Sequence, residues 1–425
     1  MTEEEEFWDY DKVIELYPNL KGIIDADSWN HIAFSNKNTG DHFEELWRKN
    51  TRINIEKGMW RRHGSLRKDC IGIGNNKAVI GVGAGKSFDK NKEFLKQLAD
   101  VDGRKDWEQR DFIIVASNHQ FKPLIKMGII PDFVMLADAS DDVIPQLTED
   151  IPPVGECATP LITTIAASPK LLKIWTRQRR DIRFFIPTSP MVMDEFKKVS
   201  GKDPEPYTTL IGGNVLNCLF LLSLGAFRSS TFFAVGNDLS YVIEKDLEKR
   251  RSMYYADGDY TTTQMQDGRD EAKNMWMWMG FTLERPKIFM GSNGYRFSLA
   301  PVGTTHNLWI YKTWMEAWLL ANMDRNDLRW HYYNCSEGGI LGVMCKTLGH
   351  EAKKDEDWYL LDSVCKRYHT MMLEDAANMF MMAKEAMKWP GGVIEQGVPN
   401  VIDLARQNMA GIAGNTHPNG KIIGI

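Results

Sequence analysis

Residues 78–87 read A-V-I-G-V-G-A-G-K-S and carry the pattern that decides the fold. The run Ala78 to Gly81 is suited to a buried strand, glycines follow at 81, 83 and 85, and Asp89 to Leu98 resembles a helix. Glycines let the backbone turn sharply, and the N–H groups at a helix start attract anions. The segment predicts an anion site with Ser87 as the helix cap, or else a tight turn without a ligand.

Two common phosphate-binding motifs do not fit this turn. A Walker A loop, G-x-x-x-x-G-K-[ST], would need glycine at position 80, which is Ile80. The dinucleotide motif G-x-G-x-x-G would need glycine at position 86, which is Lys86. The turn therefore has to be interpreted from its surroundings.

Those surroundings consist of further short apolar runs separated by helix-like segments, as in a parallel sheet covered on both faces. Including the first, six strands are predicted, and they indicate an α/β fold with a Rossmann-like, doubly wound, mostly parallel sheet and N-terminal and C-terminal helical additions. The other five runs are Phe112 to Ser117, Phe133 to Ala137, Leu161 to Ile165, Ile182 to Ile186 and Thr231 to Val235.

The pattern outside these strands predicts the rest of the organisation. Residues 241–300 show no clear strand period and are interpreted as an insertion or lid. Helices are expected at Asp41 to Glu56, His306 to Asn322 and Asp362 to Lys388, the last with its methionines in the core, and a strand at Leu328 to Tyr333. The predicted parts are a helical extension (1–70), the nucleotide-binding core (71–240), the lid (241–300), a completing unit (301–389) and a Gly-rich tail (390–425).

Composition excludes several classes of function. A formal net charge of -5 offers no general attraction to nucleic acid. The six cysteines form no C-x-x-C pair, which favours reduced thiols in the cytoplasm, and Met1 to Glu6 lacks the pattern of a secretory signal. The apolar run Val215 to Phe227 is too short for a membrane span. We expect a cytoplasmic protein that can form homo-oligomers.

Two longer segments resemble a known family. They are F-I-I-V-A-S-N-H-Q-F-K-P-L-I-K-M-G-I-I-P-D-F-V-M-L-A-D at 112–138 and I-G-G-N-V-L-N-C-L-F-L-L-S-L-G-A-F-R-S-S-T-F-F-A-V-G-N-D-L-S-Y at 211–241. With the glycine turn, they resemble the MptE-like family over about residues 77–241. That family includes 6-hydroxymethylpterin diphosphokinases and the central domain of motility accessory factor (Maf) glycosyltransferases. The segment Y-N-C-S-E-G-G-I-L-G at 333–342 resembles the T-E-G-G segment of Maf proteins.

The chain also departs from the pattern, with Lys86 where the family usually has proline and a shorter length than Maf proteins. The resemblance implies transfer of a sugar, such as a nonulosonic acid, from a CMP donor to a protein hydroxyl. The alternatives are an ATP-dependent diphosphokinase that needs Mg²⁺ and a non-catalytic protein that binds nucleotide sugars.

The candidate site residues follow predicted strands, where open α/β sheets bind their ligands. As catalytic candidates we take His119, a general acid or base near neutrality, Asp138, which could bind ribose or Mg²⁺, and Glu337. A structural histidine, a loop aspartate and a simple turn are the alternatives for these three. The predicted nucleotide or phosphate contacts are Gly81, Gly83, Ala84, Gly85, Lys86, Ser87, Asn118, Gly212, Gly213, Asn214 and Asp238, and the predicted sugar contacts are Ser336, Gly338 and Gly339.

Overall fold

The computed structural model of the protein describes residues 10–16, 26–209, 213–241, 276–284, 296–325, 328–345 and 357–387. Its centre is a sheet of nine parallel strands in the order β14-β10-β7-β1-β2-β3-β4-β5-β6. These strands are β1 Ala78–Val82, β2 Phe112–Ser117, β3 Phe133–Leu136, β4 Leu161–Thr164, β5 Ile182–Pro187, β6 Thr208–Thr209, β7 Thr231–Val235, β10 His331–Asn334 and β14 Tyr368–Thr370.

Helices cover both faces of this sheet. In β1, Val79 packs into one apolar core with helices α10 and α11, whereas Ile80 packs into the other with α5, α6, α8 and α9. The strands are apolar along their whole length because both faces are buried. In chain order the helices are α1 Tyr10–Leu16, α2 Ala26–Glu56, α3 Met59–His63, α4 Leu66–Asp69, α5 Phe88–Asp102, α6 Asn118–Lys126, α7 Ile144–Thr148, α8 Pro169–Arg177, α9 Pro190–Ser200, α10 Val215–Leu222, α11 His306–Ala321 and α12 Leu373–Met387.

Two small antiparallel sheets accompany the main one. The first has the order β11-β8-β9 and contains the hairpin β8 Trp276–Glu284 and β9 Arg296–Thr304 with β11 Gly338–Gly339. The second pairs β12 Val343–Cys345 with β13 Trp358–Leu360. Within the described residues, none of the helices has the length and apolar character that a membrane span needs.

The six predicted strands are confirmed, each within one residue of its observed ends. The described part of the predicted insertion or lid forms the hairpin β8–β9, whose run W-M-W-M-G-F-T-L-E shows no polar alternation and so gave no strand signal. The predicted helix Asp362 to Lys388 is wrong in its first third, where Tyr368–Thr370 pairs with β10. Its methionines are not all in the core, since Met379, Met381 and Met382 are exposed. The tail 390–425 lies outside the described residues.

The order in which the chain adds strands to the sheet reverses between β1 and β7, although the two strands are parallel. From β1 the chain adds β2 to β6 on one side and then returns to place β7 on the other side of β1. Ligands of open α/β sheets bind at such a reversal, beyond the carboxyl ends of the strands. The loops that follow β1, β7 and their neighbours therefore form the candidate site.

Helix α2 fixes the carboxyl edge on the β3 and β4 side. The buried Asn50 Nδ2 donates to the carbonyl oxygens of Ala139 and Ala166 at 3.1 and 3.0 Å. One turn later, Asn54 Nδ2 donates to the carbonyl oxygens of Ile165 and Ala167 at 2.8 and 2.9 Å. Helix α2 thus holds the loops after β3 and β4 in place.

Candidate functional site

The candidate residues follow five neighbouring strands of the sheet. In the order β10, β7, β1, β2, β3, these strands lead to Glu337, Asp238, the glycine turn, Asn118 and Asp138. With strands about 4.8 Å apart, the four spacings from β10 to β3 span about 19 Å. The strands before Glu337 and Asp138 are therefore the outermost of the five, and these two residues follow opposite ends of the row. We call the space beyond the carboxyl ends of these five strands the crevice.

The glycines after β1 lie against the loop after β7. A Cβ atom added to Gly83 would lie 2.5 Å from the carbonyl oxygen of Gly236, and one added to Gly85 would lie 2.6 Å from the same atom. Gly236 has a φ of +66°, and its own added Cβ would lie 2.6 Å from the carbonyl oxygen of Gly83. These glycines allow two loops to pack backbone against backbone.

This packing uses the amides that the sequence assigned to an anion. The N–H groups of Gly83 and Gly85 donate to the carbonyl oxygens of Val235 and Gly236 at 2.8 and 2.9 Å. In the first turn of α5, the N–H groups of Phe88, Asp89 and Lys90 donate to the carbonyl oxygens of residues 85, 86 and 87. Those amides are not available to a bound phosphate.

Ser87 and Asp238 join the same two loops. The Ser87 N–H donates to Asp238 Oδ2 at 2.8 Å, and the Ser87 hydroxyl donates to Asp238 Oδ1. Ser87 occupies the predicted N-cap position of α5, but its side chain bonds to Asp238 and makes no capping hydrogen bond to the helix. Asp238 is 6% exposed, and its burial raises its pKa to about 6, although the bonds from Ser87 oppose that rise. Both carboxylate oxygens thus hold the glycine turn.

Lys86 adds a half-buried positive charge to the turn. Its Nζ lies 2.9 Å from Asp89 Oδ2 in the first turn of α5. A lysine at this position can approach an anion in the crevice while Asp89 balances its charge.

The loop after β10 is attached to both neighbours. The Asn237 N–H donates to Ser336 Oγ at 2.9 Å, and the Ile340 N–H donates to the carbonyl oxygen of Asp238 at 2.8 Å. From α5, Lys90 Nζ donates to the carbonyl oxygen of Glu337 at 3.2 Å, and Asn91 Nδ2 donates to that of Cys335 at 3.0 Å. The loop is therefore part of the crevice wall next to the glycine turn.

Glu337 has an uncommon backbone conformation within this loop. Its φ is +58°, a left-handed value that costs about 1 kcal/mol or more for a residue with a bulky side chain. The residue is only 8% exposed, and the next two residues, Gly338 and Gly339, form β11, which pairs with β8. A strained, buried carboxylate beside the strand reversal is the kind of feature that binding sites retain.

The segment after β2 contains the predicted residues Asn118 and His119. Asn118 Nδ2 donates to Gln146 Oε1 at 2.6 Å, so this amide is engaged inside the protein. His119 is half-buried, and burial lowers its pKa to about 4 rather than leaving it near neutrality. The imidazole is therefore neutral at pH 7, so it cannot serve as an acid there, and its low pKa makes it only a weak base.

Next to these residues, two buried polar atoms have no hydrogen-bond partner among the described residues. They are Ser117 Oγ, at the last residue of β2, and Gln120 Nε2, in the first turn of α6. Ser117 is 6% exposed and Gln120 is 1% exposed. Leaving such a group unpaired costs about 1–3 kcal/mol.

Comparison with known proteins agrees with this geometry at the level of the family. Residues 49–244 match the protein-family model described as 6-hydroxymethylpterin diphosphokinase MptE-like. We call residues 49–244 the MptE-like domain, after the family model that they match. A search of curated proteins found no match. Among solved structures, a Maf glycosyltransferase from Magnetospirillum magneticum AMB-1 is 14% identical, with a TM-score of 0.40, over 73% of this chain and 37% of that chain. The chain thus spans little more than a third of the length of that protein.

Glu337 follows the MptE-like domain in the sequence, but in the folded protein it lies next to that domain. The match ends at residue 244, and β10 then extends the same parallel sheet beside β7. The loop after β10 reaches the domain through Lys90, Asn91 and Asp238. The later part of the chain therefore completes the crevice of the MptE-like domain.

Asp138 lies at the far end of the MptE-like domain's crevice. It is exposed, and its Oδ1 accepts a hydrogen bond from the Ser140 N–H at 2.7 Å, as in a loop-stabilising turn. Within the described residues, no three His, Cys, Asp or Glu side chains converge as metal ligands. Asp138 does not form a resident metal site there, and a Mg²⁺ ion at Asp138 would need most of its ligands from a bound diphosphate and water.

The predicted second anion nest is only partly described, since Gly212 lies outside the described residues. Gly213 has a φ of +81°, and a Cβ added to it would lie 2.6 Å from the Tyr311 ring. Asn214 caps α10, because its side chain accepts from the Asn217 N–H at 2.7 Å. The described part of this turn serves helix packing and capping.

Sequence reasoning missed several residues that shape the MptE-like crevice. Gly236 could have been noticed as a glycine between β7 and the predicted Asp238. Ser117 stands directly before Asn118, but a serine at the end of a strand gives no signal that its hydroxyl is unpaired. Lys90 and Asn91 resemble ordinary polar positions of a helix, so their bonds to the loop after β10 required the structure.

Proposed function

We propose that the protein is a Maf-type glycosyltransferase that binds a nucleotide-activated sugar in the crevice beyond the carboxyl ends of β1, β7 and their neighbours. In this proposal the donor is a CMP-linked sugar, such as a nonulosonic acid, and the acceptor is a protein hydroxyl. The observation that carries it is the attachment of the loop after β10, with its buried and strained Glu337, to helix α5 and to the loop after β7, both of which lie in the MptE-like domain.

Sugar transfer requires particular charges in that crevice. The bond between the anomeric carbon and the donor phosphate breaks with its electron pair on the phosphate, and the acceptor oxygen forms the new bond. The acceptor proton needs a base, and His119 is neutral at pH 7 and can take that role, but as a weak base because burial lowers its pKa to about 4. Glu337 carries a carboxylate that suits sugar hydroxyls or the positive character that develops at the anomeric carbon.

A second function is favoured by the description of the matched family. An ATP-dependent diphosphokinase would use the same crevice to pass diphosphate to a hydroxymethyl group, with Mg²⁺ neutralising the charge. A third function keeps nucleotide-sugar binding without catalysis. Thermal stabilisation by CMP, UDP, GDP and ATP, with and without Mg²⁺, separates the first two, because at equal concentrations the ligand that binds more tightly stabilises the folded protein more.

We expect CMP to stabilise the protein more than ATP, and a CMP-sugar to be consumed in the presence of an acceptor. A larger shift with ATP and Mg²⁺ would favour the diphosphokinase. If the protein binds the CMP-sugar but consumes none of it with any acceptor tested, the third function, nucleotide-sugar binding without catalysis, is the one supported.

Glu337→Gln tests the residue on which the proposal depends. The substitution keeps the shape, so the melting temperature should change little while donor binding or turnover falls at least about tenfold, which corresponds to about 1.4 kcal/mol. Glu284→Gln, on the exposed end of β8, is the matched control and should leave both unchanged. Wild-type turnover in Glu337→Gln would remove this residue from the site.

A further inference from the structure

The N-terminus of α6 differs from its neighbours at the carboxyl edge. Its N-cap residue Ser117 makes no capping hydrogen bond, and the hydroxyl has no partner within the described part of the chain. The backbone N–H groups in the first turn of a helix have no acceptor inside that helix. This turn, which is described in full, carries no acidic residue, and it contains the unpaired amide of Gln120.

Three other helices at this edge, α5, α8 and α10, have hydrogen bonds that satisfy their N-terminal ends. Ser168 accepts from the Leu171 N–H to cap α8, and Asn214 caps α10 in the same manner. The first turn of α5 is bonded to the glycine turn and Ser87 is held by Asp238. Helix α9 shares the property of α6, since Ser189 is 3% exposed and its hydroxyl has no partner among the described residues. It follows β5, three strands from β2.

We infer that the phosphate group of the donor binds at the N-terminus of α6, against Ser117 and Gln120, rather than in the glycine turn. This inference rests on the proposed function, which requires a phosphorylated donor in the crevice. β2 is the direct neighbour of β1, so α6 begins about 5 Å along the edge from the glycine turn and within the same crevice.

The donors at this position match the chemistry of a phosphate group. A phosphate oxygen accepts hydrogen bonds from backbone N–H groups, hydroxyls and amides, and it is favoured by the positive end of a helix. A hydroxyl and an amide that are buried without partners gain those partners when the anion arrives. The glycine turn then serves as a packed wall that positions Lys86 and the loop after β10.

Calorimetry with three probes tests this inference in the full-length chain. The probes are CMP, cytidine and inorganic pyrophosphate, and the variants are Ser117→Ala and Gln120→Met, with Ser189→Ala as the matched control at α9. We expect wild type to bind CMP more tightly than cytidine. Ser117→Ala and Gln120→Met should weaken CMP and pyrophosphate at least about fivefold and leave cytidine unchanged.

The outcomes separate this inference from the proposed function. Unchanged affinity for CMP and pyrophosphate in both α6 variants would overturn the inference, even if a CMP-sugar is still turned over. An equal loss of affinity in Ser189→Ala would also overturn it, because it would indicate a general effect of helix ends. If wild type binds neither CMP nor pyrophosphate, the inference is also overturned. Pyrophosphate binding that depends on Ser117, without any use of nucleotide donors, would support the inference and reject the glycosyltransferase.

Discussion

The segments after β1 and β2 lie side by side at the same edge, and each passes through a serine into a helix. Ser87 gives its hydroxyl and its N–H to the buried Asp238, whereas the Ser117 hydroxyl has no partner among the described residues. The glycine-rich segment resembles a binding loop but is bonded internally. The segment after β2 contains no glycine, yet it holds the donors that have no partner among the described residues. A glycine-rich turn therefore indicates close backbone packing as readily as it indicates a ligand site.

The largest effect is expected from Gly85→Ala. The new Cβ would lie 2.6 Å from the carbonyl oxygen of Gly236 and 2.7 Å from the Asp238 carboxyl group, so the two loops must separate. We expect a loss of about 3 kcal/mol in the free energy of unfolding, measured in urea.

Ala84→Ser is the control for Gly85→Ala, since it adds one atom at a half-buried neighbour and should change stability by less than about 0.5 kcal/mol. A stable Gly85→Ala protein that has lost nucleotide binding would reverse the comparison, because it would assign the glycines to the ligand.

The next effect compares the two serines directly. Ser87→Ala removes the hydroxyl that donates to Asp238 and leaves a buried carboxylate oxygen short of a partner, which should cost about 2 kcal/mol. Ser117→Ala removes a buried hydroxyl that has no partner in the described structure, so it should leave the free energy of unfolding unchanged or raise it, by at most about 1–3 kcal/mol. Urea unfolding of both variants measures the difference. A cost of about 1 kcal/mol or more in Ser117→Ala would indicate that this serine caps α6 in solution.

The strands of the MptE-like domain could be predicted because each is a short apolar run buried on both faces, as Phe112–Ser117 illustrates. The hairpin β8–β9 could not, since its tryptophans and methionines do not alternate with polar residues. Strand β14 was taken for the start of a helix because three residues carry too little pattern, and only pairing with β10 defines it.

For the site, the positions of polar and glycine residues just after predicted strands were enough to predict which loops lie together at the carboxyl edge. They did not predict which acceptors the N–H groups and side chains of those loops bind. The turn residues Ser336 to Gly339 after a strand were enough to place Glu337 at the carboxyl edge, where the structure also places it. The sequence could not indicate that the N–H groups of Gly83 and Gly85 are bonded to the loop after β7, since that depends on two segments about 150 residues apart. The pKa of His119 depends on burial by distant residues for the same reason.

The smallest expected effect is the pH dependence of stability that comes from the Asp238 carboxyl group, which holds the glycine turn. Comparison of wild type with Asp238→Asn isolates this contribution. Burial raises the pKa of Asp238 to about 6, while an aspartate in an unfolded chain titrates near 3.9. The folded protein therefore binds this proton more tightly than the unfolded chain does. Its contribution to stability is fully present below about pH 4 and is lost as the pH rises through about 6.

The asparagine does not titrate, so the difference between wild type and variant reports Asp238 alone. Lowering the pH from 7 to 5 should increase the free energy of unfolding of wild type relative to Asp238→Asn by on the order of 1 kcal/mol. Urea unfolding at several pH values measures this. Asp132, at the opposite edge of the sheet, also has a pKa raised to about 6 by burial, but it is present in both proteins and cancels. If the difference between the two proteins is the same at pH 5 and pH 7, Asp238 is not the buried, titrating link between the glycine turn and β7, and the contrast between Ser87 and Ser117 loses its electrostatic basis.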